Sequence, residues 1–428
     1  MRYAFIRYLA NRISTSLWLL PMLCVCAAFV VAWFAYWIDR SAIGLKISYW
    51  LGVHSLDAGS ARLILGTIAG SMMTIASLVV SLTLTTLTLA SQQLGPRLIE
   101  WFMNNRITQT VLGSYIALFI FALLSIGSVE DSEGGFVSHI TIVIALSGAV
   151  ANLILLIIYV HKAATYIQAD TVIASSGTQL NRSIESRCDR FRSYGEASSA
   201  SAPEGEPAVV TSTVAGYIQT IDFSGLRDLA ARHEGVIRLE RRAGDFVAGD
   251  MPLASVWHVD AGIVDEEVRN SFVFGPKRTA TQDIVFALRG LVEIGLRALS
   301  PGINDPYTAV ACIEYMGNSL LQLMNDPPAP QALPDGEGVA RLLLHEPVLA
   351  DFADTAFDAI RHAGADNPLI MGTLANAQLT LHDLARTTAQ RQLWKTHLRR
   401  TLEEAERSIV ETDARRRIQE KIQTGLRW

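Results

Sequence analysis

The stretch LILGTIAGSMMTIASLVVSLTLTTLTLA, Leu63 to Ala90, decides how this chain is read. It carries no charge and is longer than the roughly 20 apolar residues that a helix needs to cross a bilayer. It is also patterned. Thr67, Thr74, Ser81 and Thr88 recur every seven residues, Ser71 and Thr85 interleave with them, and only Leu78 breaks the three-four spacing. Side chains at that spacing share one face of a helix. Gly66 and Gly70 form a GxxxG pair beside that face, where a neighbouring backbone can approach closely. Thr83 and Thr86 point elsewhere. Two uses of such a stripe stand side by side. Small and hydroxylated residues are ordinary packing glue between membrane helices, and hydroxyls satisfy themselves on the carbonyl four residues back. The same groups in an oligomer can line a water-filled path for an ion or small solute.

Three further apolar runs flank this one. Leu17 to Ile38 follows Arg2, Arg7 and Arg12, is too long for a signal peptide core, and carries Trp18 at one end and Trp33, Tyr36 and Trp37 at the other. Val111 to Ile126 and Val137 to Val160 follow, the latter with Ser147, Gly148 and Asn152 near its middle. Between the spans lie a polar loop at 39–62, a short basic connection at 95–110 that opens with Gly95-Pro96, and an acidic turn at 130–136. Four spans put both termini on one side. The N-terminal arginines, and the absence of Lys or Arg from the 130–136 turn, place that side in the cytoplasm of a bacterial inner membrane, although the 39–62 loop carries basic residues of its own.

The totals agree with a membrane half and a soluble half. Half of the 428 residues are hydrophobic and only 18% are charged, below the roughly 25% of soluble chains. A net charge of -5 gives no electrostatic case for nucleic acid. Four cysteines, without a CxxC pair, make no disulfide framework. The expected fold class is therefore a membrane α-helical domain with four transmembrane helices, followed by a cytoplasmic α+β region. The boundaries are a transmembrane domain at 1–162, a helical extension and flexible linker at 163–207, a small β-rich module at 208–276 and an α-helical domain at 277–428.

Within the β-rich module, Val209 to Ile221 and Val236 to Leu239 read as strands around a short helix at Leu226 to Arg232. Gly244-Asp245-Phe246-Val247 with Gly249-Asp250 reads as a hairpin leading to Val256. This pattern is similar to lipoyl and biotinyl barrel-sandwich modules. Those carriers attach their cofactor to a lysine, and no lysine occurs from 163 to 276, so a swinging-arm carrier is excluded and no cofactor is expected.

From Thr279 onward the pattern is helical. Helices are expected at about 279–299, 306–324, 338–344, 347–362, 368–388 and 391–423, with a proline-rich loop at 325–336. Between the first two lies Ser300-Pro301-Gly302-Ile303-Asn304-Asp305-Pro306. Pro301 and Gly302 end one helix; Asp305 caps the next, with Pro306 at its first position. Asn367-Pro368 repeats the device. The alternative is that Ser300, Asn304 and Asp305 converge with backbone amides on a ligand.

The run Arg289 to Val310 around that connector, with Arg278-Thr279 and Gln282-Asp283 before it, resembles the bacterial membrane-protein family known as domain of unknown function 2254. The four spans, Gly216 to Asp222 (GYIQTID) and the GDFV turn at Gly244 fit the same resemblance. It implies an inner-membrane protein with a cytoplasmic tail, and assigns no activity. Enzyme signatures are lacking: His233-Glu234 and His345-Glu346 have no second helical histidine, and no phosphate-binding glycine loop or nucleophile elbow occurs. Asp351, Asp354 and Asp358 read as a solvated acidic face, and no metal site is expected. The expected protein is a homo-oligomer in the lipid bilayer that conducts or moves a small solute, with a sensing or gating tail. A non-conducting sensor or scaffold that binds a ligand or partner is the alternative.

Overall fold

A computed structural model describes residues 19–41, 57–94, 106–129, 139–166, 168–194, 203–259, 261–326 and 329–426. The basic N-terminus, the acidic turn at 130–136, Gly95-Pro96 and most of the 39–62 loop lie outside the described residues. The chain divides into two units, Phe5–Gln168 and Ala169–Trp428.

The first unit holds four helices long and apolar enough to cross a membrane: α1 (Leu19–Asp39), α2 (Ala58–Leu94), α3 (Arg106–Gly127) and α4 (His139–Tyr166). Each matches one of the four apolar runs. Their shared core contains Leu65, Met72 and Val79 of α2, Tyr115 and Phe121 of α3, and Ile142 and Tyr159 of α4. Helix α3 approaches α1 closely at Gly113, where a Cβ would come 2.9 Å from the Cα of Pro21. Small residues allow such close backbone approach in membranes. Buried polar groups bond across helices. The Tyr115 hydroxyl donates to the Asn152 carbonyl at 2.7 Å, and the Asn152 amide donates to the Ser114 carbonyl at 3.3 Å. Asp39, at the end of α1, accepts the N–H groups of Ile140 and Thr141 and the Thr141 hydroxyl, at 3.0 to 3.2 Å. It thereby caps the first turn of α4, whose opening N–H groups have no partner inside the helix.

The second unit begins with α5 (Ala169–Arg192) and continues with β1 (Ala208–Thr211), β2 (Gly216–Ile221), α6 (Phe223–Arg232), β3 (Val236–Leu239), β4 (Phe246–Val247), β5 (Pro252–Trp257), α7 (Ala261–Asn270) and β6 (Phe272–Gly275). Then come α8 (Ile284–Ala298), α9 (Pro306–Asn325), β7 (Ala332–Pro334), β8 (Ala340–Leu343), α10 (Leu349–Ala363), α11 (Pro368–Asp383), α12 (Thr388–Ser408) and α13 (Thr412–Gly425).

The β-rich region is not the expected barrel-sandwich. It forms a five-stranded sheet in the order β1-β5-β3-β8-β7 and a separate three-stranded sheet in the order β4-β2-β6, with no closed barrel among the described residues. The expected hairpin is absent as well, because β4 pairs with β2 while β5 pairs with β1 and β3. Residues 340–343, expected as helix, are strand β8, parallel to β3 and antiparallel to β7. Leu342 is fully buried and packs with Ile237, Val256 and Leu226, which is the burial a strand receives inside a sheet. The long C-terminal helix is two helices. Ile409 takes an extended conformation at the end of α12 with its side chain buried, so the chain turns where the apolar repeat fades.

Helix α5 joins the second unit through its own side chains. Gly177 meets the Tyr315 ring, Ser319 donates to Asn181 at 2.6 Å, and Arg187 pairs with Glu346 at 3.3 Å. Residues 195–202 of the linker lie outside the described residues.

Candidate functional site

Helix α2 buries one face and presents the other outward. Ala61, Leu65, Ile68, Ala69, Met72, Ala76 and Val79 are in the core, whereas Thr67, Ser71, Thr74, Ser81, Thr85 and Thr88 are all exposed. Gly66 and Gly70 are exposed with them, and a Cβ at either would meet nothing within 4 Å. Ser77 is exposed on the same face and donates to the Met73 carbonyl at 3.0 Å. Thr67, Thr74, Thr85 and Thr88 each donate to the carbonyl four residues back, at 2.7 to 3.0 Å. The hydroxyls of Ser71 and Ser81 make no hydrogen bond within the described chain. Thr83 and Thr86 turn away from the stripe, as their spacing requires: Thr83 meets the Tyr159 hydroxyl at 2.5 Å and Thr86 is buried.

The SPGINDP connector lies on the surface of the second unit, with Pro301, Gly302 and Asn304 exposed and Ser300, Asp305 and Pro306 half-buried. Its polar groups bond within the loop. The Ser300 hydroxyl donates to the Arg297 carbonyl at 2.6 Å, and the Asp305 carboxylate accepts the Thr308 N–H at 3.2 Å and the Thr308 hydroxyl at 2.6 Å. Pro306 occupies the first turn of α9, where its missing N–H costs nothing. Asn304 sits at φ 48°, a left-handed conformation that asparagine tolerates better than most residues.

The sequence reading did not anticipate a cavity of about 280 Å³ in the second unit. Its wall brings together Arg187 of α5, Arg242 and the Ala243–Phe246 turn, Arg278, the first residues of α8 with Arg289, and Glu346. Four arginines therefore face three acids, Asp245, Asp283 and Glu346. Asp283 accepts from Arg278 through one oxygen, at 2.5 and 2.9 Å, and caps α8 by accepting the Phe286 N–H through the other at 2.9 Å. Gly244 covers this pair at φ +94°, where a Cβ would collide with the Asp283 carboxylate. Glycine is required there on both counts. Gln282 is a clamp and not a ligand, since its amide exchanges two hydrogen bonds with the Ile221 backbone, at 2.8 and 3.0 Å.

Glu346 is buried against Arg187, and burial pushes its carboxyl up while the Arg187, Arg190 and Arg242 charges draw it back down. Arg242 is held more loosely. Its ion pairs, to Asp245 and Asp351, are both long at 3.9 Å. The same Asp351 oxygen already accepts the Val348 N–H at 3.0 Å at the start of α10.

The acidic face of α10 is not simply solvated. Asp354 pairs with Arg400 at 2.8 Å and lies 3.4 Å from the fully buried His397; Asp358 pairs with Arg361 at 2.9 Å. The ligand atoms of Asp354, Asp358 and His397 lie within 4.8 Å of one another, a spacing that could hold a metal ion. Two guanidinium groups already neutralise those carboxylates, and burial lowers the His397 imidazole pKa, so the cluster is an ion-pair network around a neutral histidine. His258 follows β5 in a left-handed turn at φ 62°.

No solved structure matches the chain. Two mycobacterial relatives do, the uncharacterized protein Rv1290c of Mycobacterium tuberculosis and the uncharacterized protein Mb1321c of Mycobacterium bovis. Each is 28% identical over 336 residues, which cover 74% of this chain and 62% of the relative. The chain thus spans about three-fifths of the length of those relatives. The family model described as a predicted membrane protein (DUF2254) matches residues 14–379, from the start of the first apolar run to α11, and the chain belongs to that family.

Proposed function

We propose that this protein is a homo-oligomeric channel-like protein of the bacterial inner membrane, in which copies of α2 face one another across the hydroxyl and glycine stripe. The observation that carries this reading is the outward face of α2. It exposes Gly66, Gly70 and seven hydroxyl side chains, Ser77 among them, and the Ser71 and Ser81 hydroxyls have no acceptor within the described chain. A hydroxyl without a partner is costly in hydrocarbon, and it is satisfied by a neighbouring helix or by water. Copies arranged around an axis would give a hydrated path for an ion or small solute. The second unit would sit on the cytoplasmic side with both termini and act on the path as a sensing or gating region. No catalysis is part of this reading.

A second reading is favoured by a specific observation. All four threonines of the stripe donate to their own helix, which is how hydroxyls behave in dry packing contacts. On that reading the assembly is a non-conducting scaffold or sensor. Single cysteines at Ser71 and Ser81, oxidised in native membranes, test the assembly that both readings share. Disulfide-linked multimers at Ser71→Cys and Ser81→Cys, and none at the core position Val79→Cys, are expected. Monomers at both stripe positions would refute self-association through α2.

A further inference from the structure

We infer that the arginine-walled cavity of the second unit binds a small organic anion carrying a terminal phosphate or carboxylate. The inference does not depend on how α2 assembles, because every residue of the cavity belongs to the second unit.

Three observations carry it. The first is charge. Two of the wall's acids are each committed to one arginine, Glu346 to Arg187 and Asp283 to Arg278. The third, Asp245, accepts the backbone N–H of Arg242 at 3.0 Å and stands 3.9 Å from the Arg242 guanidinium. The five donors of a guanidinium suit the paired oxygens of a carboxylate or phosphate, and those of Arg242 are not taken up by close carboxylates. The second is the start of α8. Ile284 and Val285 line the cavity, and their backbone N–H groups make no hydrogen bond within the described chain, as the first N–H groups of a helix do not. Arginine and helix start thus act on one cavity with the same sign of potential.

The third observation is the apolar part of the wall. Tyr217 and Phe246 meet edge to face with ring centroids 5.1 Å apart, and Phe352 lines the cavity with them. Phe246 is 55% exposed, which leaves about half of its surface open to a guest. The wall therefore pairs an anion hook with a surface for a hydrocarbon or planar body. The size of the cavity limits the guest to a small metabolite-sized anion, since sites for drug-sized ligands run from about 300 to 1,000 Å³.

The experiment is calorimetric titration of the full chain in detergent micelles with phenyl phosphate. Benzoate serves as the carboxylate probe, inorganic phosphate as the anion without a body, and phenol as the body without an anion. Saturable binding of phenyl phosphate or benzoate is expected, with phenol silent and inorganic phosphate weaker. The choice between the first two identifies the head group. Arg242→Gln should weaken binding by about tenfold or more, the loss of one charge-assisted contact. Its melting temperature without probe should stay at the wild-type value. If that variant does not fold, Arg242→Lys replaces it; it keeps the charge but loses the planar fork, and a clear weakening is again expected. Phe246→Ala should weaken phenyl phosphate and leave inorganic phosphate unchanged. The inference is overturned if neither aromatic anion binds at up to about 10 mM. It is equally overturned if a folded Arg242 variant binds as tightly as wild type.

Discussion

Removing Arg187 should strand a buried carboxylate, and the cost should depend on pH. Arg187 and Glu346 are 8% and 17% exposed and 3.3 Å apart. Breaking a buried pair from one side costs about 3–5 kcal/mol, because the remaining charge has lost both water and partner. In a unit of this size each kcal/mol moves the melting temperature by about 2 °C, so Arg187→Met should lower it by about 6–10 °C near neutral pH. The sign follows from the direction of the shift. Burial raises the Glu346 carboxyl above its ordinary 4.5, and the pull of Arg187 is among the charges that hold that rise in check. Without Arg187 the folded-state value climbs further. A carboxyl raised on folding favours the fold while protonated, and that contribution disappears as pH rises through the folded value. The deficit of the variant against wild type should therefore be smallest near pH 4.5, grow as pH rises through the folded value, and level off above it. Arg187 also lies over the rings of Phe191 and Phe352 and donates to the Pro347 carbonyl, and losing those contacts gives a part that does not change with pH. Arg187→Met combined with Glu346→Gln should recover most of the loss. The assay is thermal unfolding of the purified full chain across pH, followed by circular dichroism. A deficit that is the same at every pH, or a double variant no better than the single, would refute the buried-charge account.

Asp305→Ala should destabilise the second unit by about 0.5–2 kcal/mol through loss of the α9 cap, while Asp305→Asn should be nearly neutral in the same melting assay. Gly244→Ala should cost about 1–3 kcal/mol, because its φ of +94° and its contact with Asp283 both exclude a Cβ; limited proteolysis of the 242–246 turn would report the loosening. Cysteines placed singly at Ser55, Ser132 and Ser199 test the orientation with an impermeant reagent. The first two should label in intact cells and the third only after lysis.

Hydropathy and helix punctuation were legible in the sequence because both are local. A span needs only an uninterrupted apolar run, and the Asp305-Pro306 and Asn367-Pro368 pairs write a cap and a first turn into adjacent residues. That Thr67, Thr74 and Ser81 share one face of α2 follows from helical spacing alone; that this face is exposed in the chain did not. The sheets were not legible, because strand β8 pairs with β3 about a hundred residues away and its short apolar run fits a helix equally well. The barrel-sandwich resemblance failed for the same reason: a glycine turn marks a reversal, and it does not say which strand the next one will pair with. The cavity draws Arg187, Arg242, Arg278 and Glu346 from four separate stretches. The nearest local signals were the Arg278 and Asp283 flank and the GDFV turn, which turn out to touch through Gly244.

The central claim, that the outward hydroxyls of α2 line a hydrated path between copies, is tested most directly by ion flux into liposomes. Wild type is compared with the triple variant Thr74→Val, Ser81→Val, Thr85→Val, and cross-linked oligomer is measured in the same vesicles. Valine keeps the shape of threonine, and nearly that of serine, while removing the groups that hold water, so a narrow path should dewet and close. Loss of interhelical hydrogen bonds would weaken association by only about 0.6 kcal/mol each. The account predicts flux in wild type, flux abolished in the triple variant, and oligomer retained in both. Flux that survives the triple change, or wild type that passes no ion tested while forming the same oligomer, would contradict it.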